Sequence, residues 1–286
     1  MPFPVQRLLA LAWLAAALAA TPATAHESFD EALAHVDAAL SAAPRDAELW
    51  RRRASLQRSR GDFERARADL EQACALGLAP AVTERERGLN ARGEGRLAAA
   101  ESHLRRAREL APLDVEALVA HAETLAELGR SRAAADAYAR VIELAPRAGP
   151  EIFLARVRAL AAGGDASLAE ALRALDEAEA RLGPVPALAQ EGLALELRAG
   201  RTDAALARLE RASAPARRRE SWLVQRAEIL EHAGRSQEAA TEYAAALASL
   251  DRLPPTRRAT PASLTLASRA REGIERLSRV EAARAR

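Results

Sequence analysis

The sequence predicts an all-α fold built from stacked helical hairpins. Two registers and the composition point to it. Gly61, Gly95, Gly129, Gly163, Gly200 and Gly234 are separated by 34, 34, 34, 37 and 34 residues. A second row, Ala32, Ala66, Ala100, Ala134, Ala171, Ala205 and Ala239, keeps step at 34, 34, 34, 37, 34 and 34. Alanine, leucine, arginine and glutamate, all good helix formers, dominate the composition. A fixed period of this size means units that each bury an apolar face against the next.

The first 25 residues stand apart. Arg7 is a positive start, residues 8–20 are an unbroken apolar run, Thr21-Pro22 interrupts it, and Ala23-Thr24-Ala25 has the small-x-small form of a cleavage site. The expectation is a secretory signal peptide, cut between Ala25 and His26, and export to the periplasm. The alternative is an inner-membrane anchor through residues 8–20, although 13 apolar residues fall short of the roughly 20 that span a bilayer. No cysteine lies near the junction, which argues against a lipoprotein.

Residues 26–253 form the array. It opens with half a repeat, residues 28–45, that matches only a second helix. Six full repeats follow. In the first, the spacing predicts a helix from Ala47 to Ser59, a turn at Gly61 and a helix from Phe63 to Leu76. Trp50, Leu118, Ile152 and Leu223 take equivalent places in the first helices. The small residues Ala54, Gly88, Ala122 and Ala227 follow four positions later, so that two helices can approach closely. In the second helices the alanine row is followed at +4 by Val36, Leu70, Leu104, Tyr138, Leu175, Leu209 and Tyr243. Three further on come Ala39, Ala73, Ala107, Val141, Ala178, Ala212 and Ala246. Offsets of four and three place all three rows on one stripe. Pro44, Pro80, Pro112, Pro146 and Pro184 are expected to stop helices. Cys74, the single cysteine, falls beside Ala73 and reads as a small core residue.

Two irregularities remain. The 37-residue spacing puts three extra residues in the turn around Gly164-Asp165-Ala166-Ser167. The plain expectation is a tolerated surface insertion; the sharper one is a change of curvature or a contact loop. Beyond Pro254-Pro255, residues 254–286 are expected to supply a last helix with Thr260 as cap and Pro261 in its first turn. Leu266, Ala270, Ile274 and Leu277 form its apolar face, and Arg269, Glu272, Arg276 and Arg279 the other. It seals the end of the array.

Charge and motif content exclude several functions. The net charge of +2 lacks the clustered excess that nucleic acid requires. One cysteine permits no internal disulfide. No phosphate loop, nucleophile elbow or HExxH motif occurs. No enzymatic activity and no cofactor is expected. His26, His35, His103, His121 and His232 show no metal-ligand spacing. A remote alternative is a metal carrier using a mature N-terminal His26.

Trp50, Ala54, Gly61, Ala66, Leu70 and Ala73 in one copy, and Leu118, Ala122, Leu125, Gly129, Ala134, Tyr138 and Pro146 in another, resemble the tetratricopeptide repeat over residues 27–253. The departures are Arg53, Arg87, His121 and Arg226, where the family usually has leucine; their stems are expected to pack while their heads reach solvent. The resemblance implies a right-handed superhelical solenoid whose first helices line a groove for a partner segment. Its groove positions fall on Arg51, Ser55 and Arg58, on Arg85, Leu89 and Arg92, on Val119, Glu123 and Glu127, and on Phe153 and Val157. That groove is basic, then acidic, then apolar. The expected partner is a protein or peptide with an acidic segment. The expected function is an exported scaffold for protein–protein interaction in the cell envelope, the alternative an accessory factor for assembly or secretion of an envelope complex. After leader removal no stable membrane span is expected.

N-terminal sequencing of the exported protein should begin at His26. A full-length species in the inner membrane would instead establish residues 8–20 as an anchor.

Overall fold

Fifteen α-helices and one 3-10 turn make up the described residues of the computed structural model, which are 22–214 and 218–284, with side chains from Phe29 to Ala283. No strand occurs among them. Residues 1–21 of the expected leader lie outside the described residues, while its last four residues and the expected cleavage junction at Ala25 fall inside the first helix. None of the described helices is long and apolar enough to cross a membrane.

The chain divides into two compact units, Met1–Leu128 and Gly129–Arg286. The first holds α1 (Pro22–Ala42), α2 (Ala47–Arg60), α3 (Phe63–Ala75), α4 (Pro80–Gly93), α5 (Leu97–Leu110) and α6 (Val115–Glu127). The second holds α7 (Ser131–Leu144), α8 (Pro150–Ala162), a 3-10 turn (Asp165–Ser167), α9 (Leu168–Leu182), α10 (Pro186–Arg198), α11 (Thr202–Ser213), α12 (Glu220–His232), α13 (Ser236–Asp251), the short α14 (Pro255–Arg258) and α15 (Pro261–Arg284). Consecutive helices pack in antiparallel pairs, α2 with α3 and α4 with α5 in the first unit, α8 with α9, α10 with α11 and α12 with α13 in the second.

Local chemistry sets the ends of these helices. Asp46 caps α2 by accepting from the Glu48 and Leu49 amides, and Asp62 and Asp114 cap α3 and α6. Gly61 turns the chain at φ 86°, a conformation that only glycine adopts without strain, and its amide is bonded to Arg58 O. Pro80, Pro150 and Pro186 open α4, α8 and α10 at the first turn. Pro80 therefore starts a helix where the sequence suggested a stop, because the preceding turn is made by Gly77 at φ 96°.

The alanine row is the packing row. Ala66, Ala100, Ala134, Ala171, Ala205 and Ala239 are all completely buried. The α4–α5 crossing shows why: a Cβ on Gly88 would stand 2.5 Å from Leu104 Cγ and 3.3 Å from Ala100 O. Leu70, Leu104, Leu175 and Tyr243, four positions after the alanines, are the large side chains that fill each hairpin, with burial of the order of 1.5–3 kcal/mol for each leucine.

The 37-residue spacing is not one insertion. Gly163 has φ −69°, and Gly164, at φ 94°, makes the left-handed turn in its place. One extra residue lies in the loop before α8, at 145–149, and two lie in the 3-10 turn before Ala171. The residues of α8 therefore advance by one. Phe153, not Ile152, is the counterpart of Leu118, and Val157 is the counterpart of Ala122. Phe153 is 4% exposed and Val157 fully buried, so both belong to the core and neither lines a surface. On α10 the equivalent pair is Ala189 and Leu193, and the neighbouring Gly192 faces the preceding hairpin, where a Cβ would approach Leu175 Cδ2 to 2.4 Å.

Two other expectations change. Cys74 is exposed, since it lies one step round α3 from the stripe of Ala66, Leu70 and Ala73. The heads of Arg53 and Arg226 do not rest in solvent. Arg53 grips Asp69 at 2.7 and 2.8 Å and stacks 4.5 Å over the Trp50 ring, and Arg226 reaches Glu242 at 2.8 Å, each pair tying the first helix of a hairpin to the second. His121 is buried beside Arg108 at 2.8 Å, and Arg87 pairs with Glu84 at 2.9 Å.

The terminal helix follows the sequence expectation. Thr260 accepts from the Ser263 amide, and Ala270 and Leu277 are buried, with Leu266 and Ile274 packed beside them. Gly273 lets α15 close onto Tyr243, whose ring would meet a Cβ there at 2.3 Å. Arg269 and Arg276, on the face read as polar, turn back to Glu228 and Glu231 of α12 at 2.7 and 2.9 Å.

Replacing Ala134 with leucine should overpack a site without spare volume and cost about 1–3 kcal/mol. An unchanged denaturation midpoint would remove this row from the packing scheme.

Candidate partner-binding face

Within the first unit, α2 packs on α4 and α4 on α6. These are the first helices of three successive hairpins, so nine of the eleven groove positions expected from the sequence sit on neighbouring helices. Phe153 and Val157, the remaining two, are core residues of the second unit.

The four arginines of this face are held by carboxylates of the adjoining helix. Arg51 and Arg58 of α2 both reach Glu86 of α4, at 3.0 and 2.6 Å. Arg51 also donates from Nε to Glu48 at 2.9 Å. Arg85 of α4 reaches Asp114 at 2.7 Å and Glu116 at 2.9 Å. Arg92 pairs with Glu123 and, through Nε at 2.9 Å, with Glu127, both on α6. Between these pairs, Ser55, Leu89 and Val119 are half-buried. Ser55 accepts from Arg58 at 3.1 Å.

The electrostatic pattern therefore differs from a basic stretch followed by an acidic one. Positive and negative groups alternate across the helix boundaries and neutralise one another. Glu86 is the most constrained member, with a side chain only 3% exposed and guanidiniums on two sides. It was not among the expected site residues. A signal for it existed: Arg51 and Glu86, like Arg92 and Glu127, are 35 residues apart, one repeat plus one position. The second unit repeats the arrangement on its first helices, with Arg158 on Glu191 at 2.8 Å and Gln225 on Gln190 at 3.3 Å.

No group of three or more His, Cys, Asp or Glu side chains able to hold a metal occurs among the described residues. His103 is committed to Glu84 at 2.7 Å and His232 to the Glu228 carbonyl at 2.7 Å. The side chain of His26 lies outside the described residues.

The tetratricopeptide repeat family model matches residues 23–81 and 85–150, spanning α1 to α7 hairpin by hairpin. These stretches are tetratricopeptide repeats. Solved tetratricopeptide repeat structures share the fold of the chain. The C-terminal part of a repeat-containing protein from Cytophaga hutchinsonii is 13% identical with a TM-score of 0.60, over 81% of this chain and 94% of that one. A tetratricopeptide repeat protein from Parabacteroides merdae is 14% identical with a TM-score of 0.51, over 86% and 94%. MamA from Desulfovibrio magneticus is 17% identical with a TM-score of 0.50, over 58% and 93%. At these identities the likeness is one of fold. No curated protein matches the chain in sequence.

In these tetratricopeptide repeats the arginine–carboxylate pairs support the stack as well as decorate it. Changing Arg51 and Arg58 together to serine leaves the buried Glu86 carboxylate with only the more distant Arg85, at 3.8 Å, as counter-charge, which should cost about 3–5 kcal/mol. Chemical denaturation should show a lowered midpoint, and Glu86→Gln added to the double variant should recover part of the loss. A double variant as stable as the parent would show that Glu86 is hydrated.

Proposed function

We propose that this protein is an exported interaction scaffold of the cell envelope, which captures an extended segment of a partner protein on the face made by α2, α4 and α6. The observation that carries the reading is the set of half-buried side chains, Ser55, Leu89 and Val119, one on each of three successive helices, framed by charged groups already fixed in position. Fixed donors and acceptors lose little conformational entropy when a partner arrives, so the face is prepared for recognition.

The pairing alters the partner that the face suits. An acidic segment must compete with built-in carboxylates. At Arg92 the competitors are Glu123 and Glu127, whose side chains are 39% and 41% exposed and free to swing aside. Exchange of one exposed ion pair for another contributes about 0.2–1 kcal/mol. Affinity must then come chiefly from an apolar side chain against Leu89 and Val119, with the charges setting register and orientation. The partner segment proposed is an extended one with an apolar residue flanked by a carboxylate. Export is proposed from residues 8–20 and the small-residue junction that follows.

The test uses in-envelope crosslinking with mass spectrometry of the captured proteins. Leu89→Glu combined with Val119→Glu should leave the helical signal and melting within a few degrees of the parent and abolish recovery of the principal partner. Recovery of the same partner in the same yield would exclude this face.

A further inference from the structure

α1 stands where the other repeats have a second helix, and no described residue supplies the first helix that would lie against it. The turn made by Gly61 in the next hairpin corresponds to Glu27, and α1 runs unbroken from Pro22 to Ala42. Residues 22–28 therefore lead away along the α1 axis and do not fold back on it. Burial records the consequence. Ala32 is half-buried, whereas the six alanines that follow it in the row are completely buried. Leu56 of α2 is half-buried too, whereas its counterparts in the later repeats, Asn90, Thr124, Ala159, Leu195 and Ile229, are all buried. Between α1 and α2 lies a cleft of about 430 Å³, with Ala32 and Val36 on one side and Ser55 and Leu56 on the other.

Two polar side chains lining this cleft, His35 and Arg52, make no hydrogen bond or ion pair with a described residue. His35 sits three places after the alanine row. Elsewhere the occupants of that place reach the first helix of their own hairpin: Asp69 to Arg53 at 2.7 Å, His103 to Glu84 at 2.7 Å and Glu242 to Arg226 at 2.8 Å. Arg52 holds the place of Glu86, which takes Arg51 and Arg58 from the preceding first helix. An interior joint thus sets arginines of the incoming helix against a carboxylate. At the start of the array the sign is reversed, and an incoming helix meets a guanidinium and an imidazole.

We propose that α1 and α2 take up an amphipathic helix of a partner polypeptide, which completes the opening hairpin in trans. The helix sets a small residue against Ala32, as Ala54 and Gly88 do for Ala66 and Ala100. Glu84 stands four residues before Gly88, and Arg58 four after Ala54. The partner therefore carries one carboxylate four residues before its small residue, toward His35, and another four after it, toward Arg52. Charge decides against two other occupants. Residues 1–25 contain no acidic side chain, and a second copy docked face to face would bring Arg52 against Arg52. The site adjoins the α2–α4–α6 face at Ser55, and it rests on the scaffold reading for a polypeptide partner.

The mature protein would be titrated into a fluorescent, hydrocarbon-stapled helical peptide with glutamate, alanine and glutamate at every fourth place, and into its counterpart with lysine at both glutamate places. Anisotropy at low salt should show the glutamate peptide binding at least tenfold more tightly. Ala32→Leu should abolish that binding yet leave the melting temperature within about 2 °C of the parent, because the added carbons enter an uncovered surface. Arg52→Glu should reverse the preference between the peptides. Equal binding of both, undiminished binding by Ala32→Leu, or an unchanged preference in Arg52→Glu would overturn the proposal. So would a melting temperature lowered by Ala32→Leu as far as by Ala134→Leu, which would show Ala32 to be covered within the chain. Sedimentation velocity should give a monomer; a dimer dissolved by Ala32→Leu would make a second copy the occupant and overturn the partner helix. Partner crosslinking abolished by the Leu89→Glu and Val119→Glu pair, with no peptide bound by the parent, would remove this inference and leave the α2–α4–α6 reading standing. Peptide binding with crosslinking indifferent to that pair would do the reverse.

Discussion

The crossing of the two helices within a hairpin depends on a small residue meeting a small residue. Ala54 with Ala66, and Gly88 with Ala100, leave no room for another carbon, and Leu70 and Leu104 fill the space one turn further on. In these two hairpins a side chain larger than methyl at the crossing would separate the helices, and Leu70 and Leu104 would lose their close contacts, whereas the fourth hairpin takes the fully buried Val157 at the same position. The rest of the architecture is arranged around that spacing. In the second unit the same logic reaches the end of the chain, where Ala239, Tyr243 and Ala246 are closed off by Ala270 and Gly273 of α15.

Packing within hairpins leaves the contact between successive first helices less apolar, and charge supplies part of it. The guanidinium–carboxylate pairs around Glu86, Asp114 and Glu123 link α2, α4 and α6 edge to edge. Pairs that are solvent-exposed contribute little singly, yet a nearly buried carboxylate such as Glu86 makes its arginines obligatory. The surface proposed for binding and the joint between repeats are consequently built from the same side chains, which restricts how freely that surface can vary.

The period, the helix pairs, the alanine row and the terminal cap were legible in the sequence because they are short-range regularities: offsets of three, four and 34 fix which residues share a face. Three features were not. The surplus of the 37-residue repeat was divided between two loops, and only backbone geometry at Gly163 and Gly164 shows where. The fates of Arg51, Arg58, Arg85 and Arg92 depended on carboxylates about one repeat away, a pairing that the groove positions of the family do not encode. Cys74 was misplaced because a residue at the edge of a stripe can fall either side of the helix–helix seam.

The divided surplus bears on modularity. A repeat of uniform length can be exchanged as a cassette, cut at any fixed phase. The fourth hairpin cannot. Its first helix is displaced by one residue, about 100° of rotation on a helix of 3.6 residues per turn, relative to a 34-residue frame. A graft cut by sequence period would turn Phe153 outward and bring Ile152 inward. Only joints placed inside the loops 145–149 and 163–167 carry the helix across with its buried side intact, so this hairpin is portable as a folded piece and not as a length of sequence.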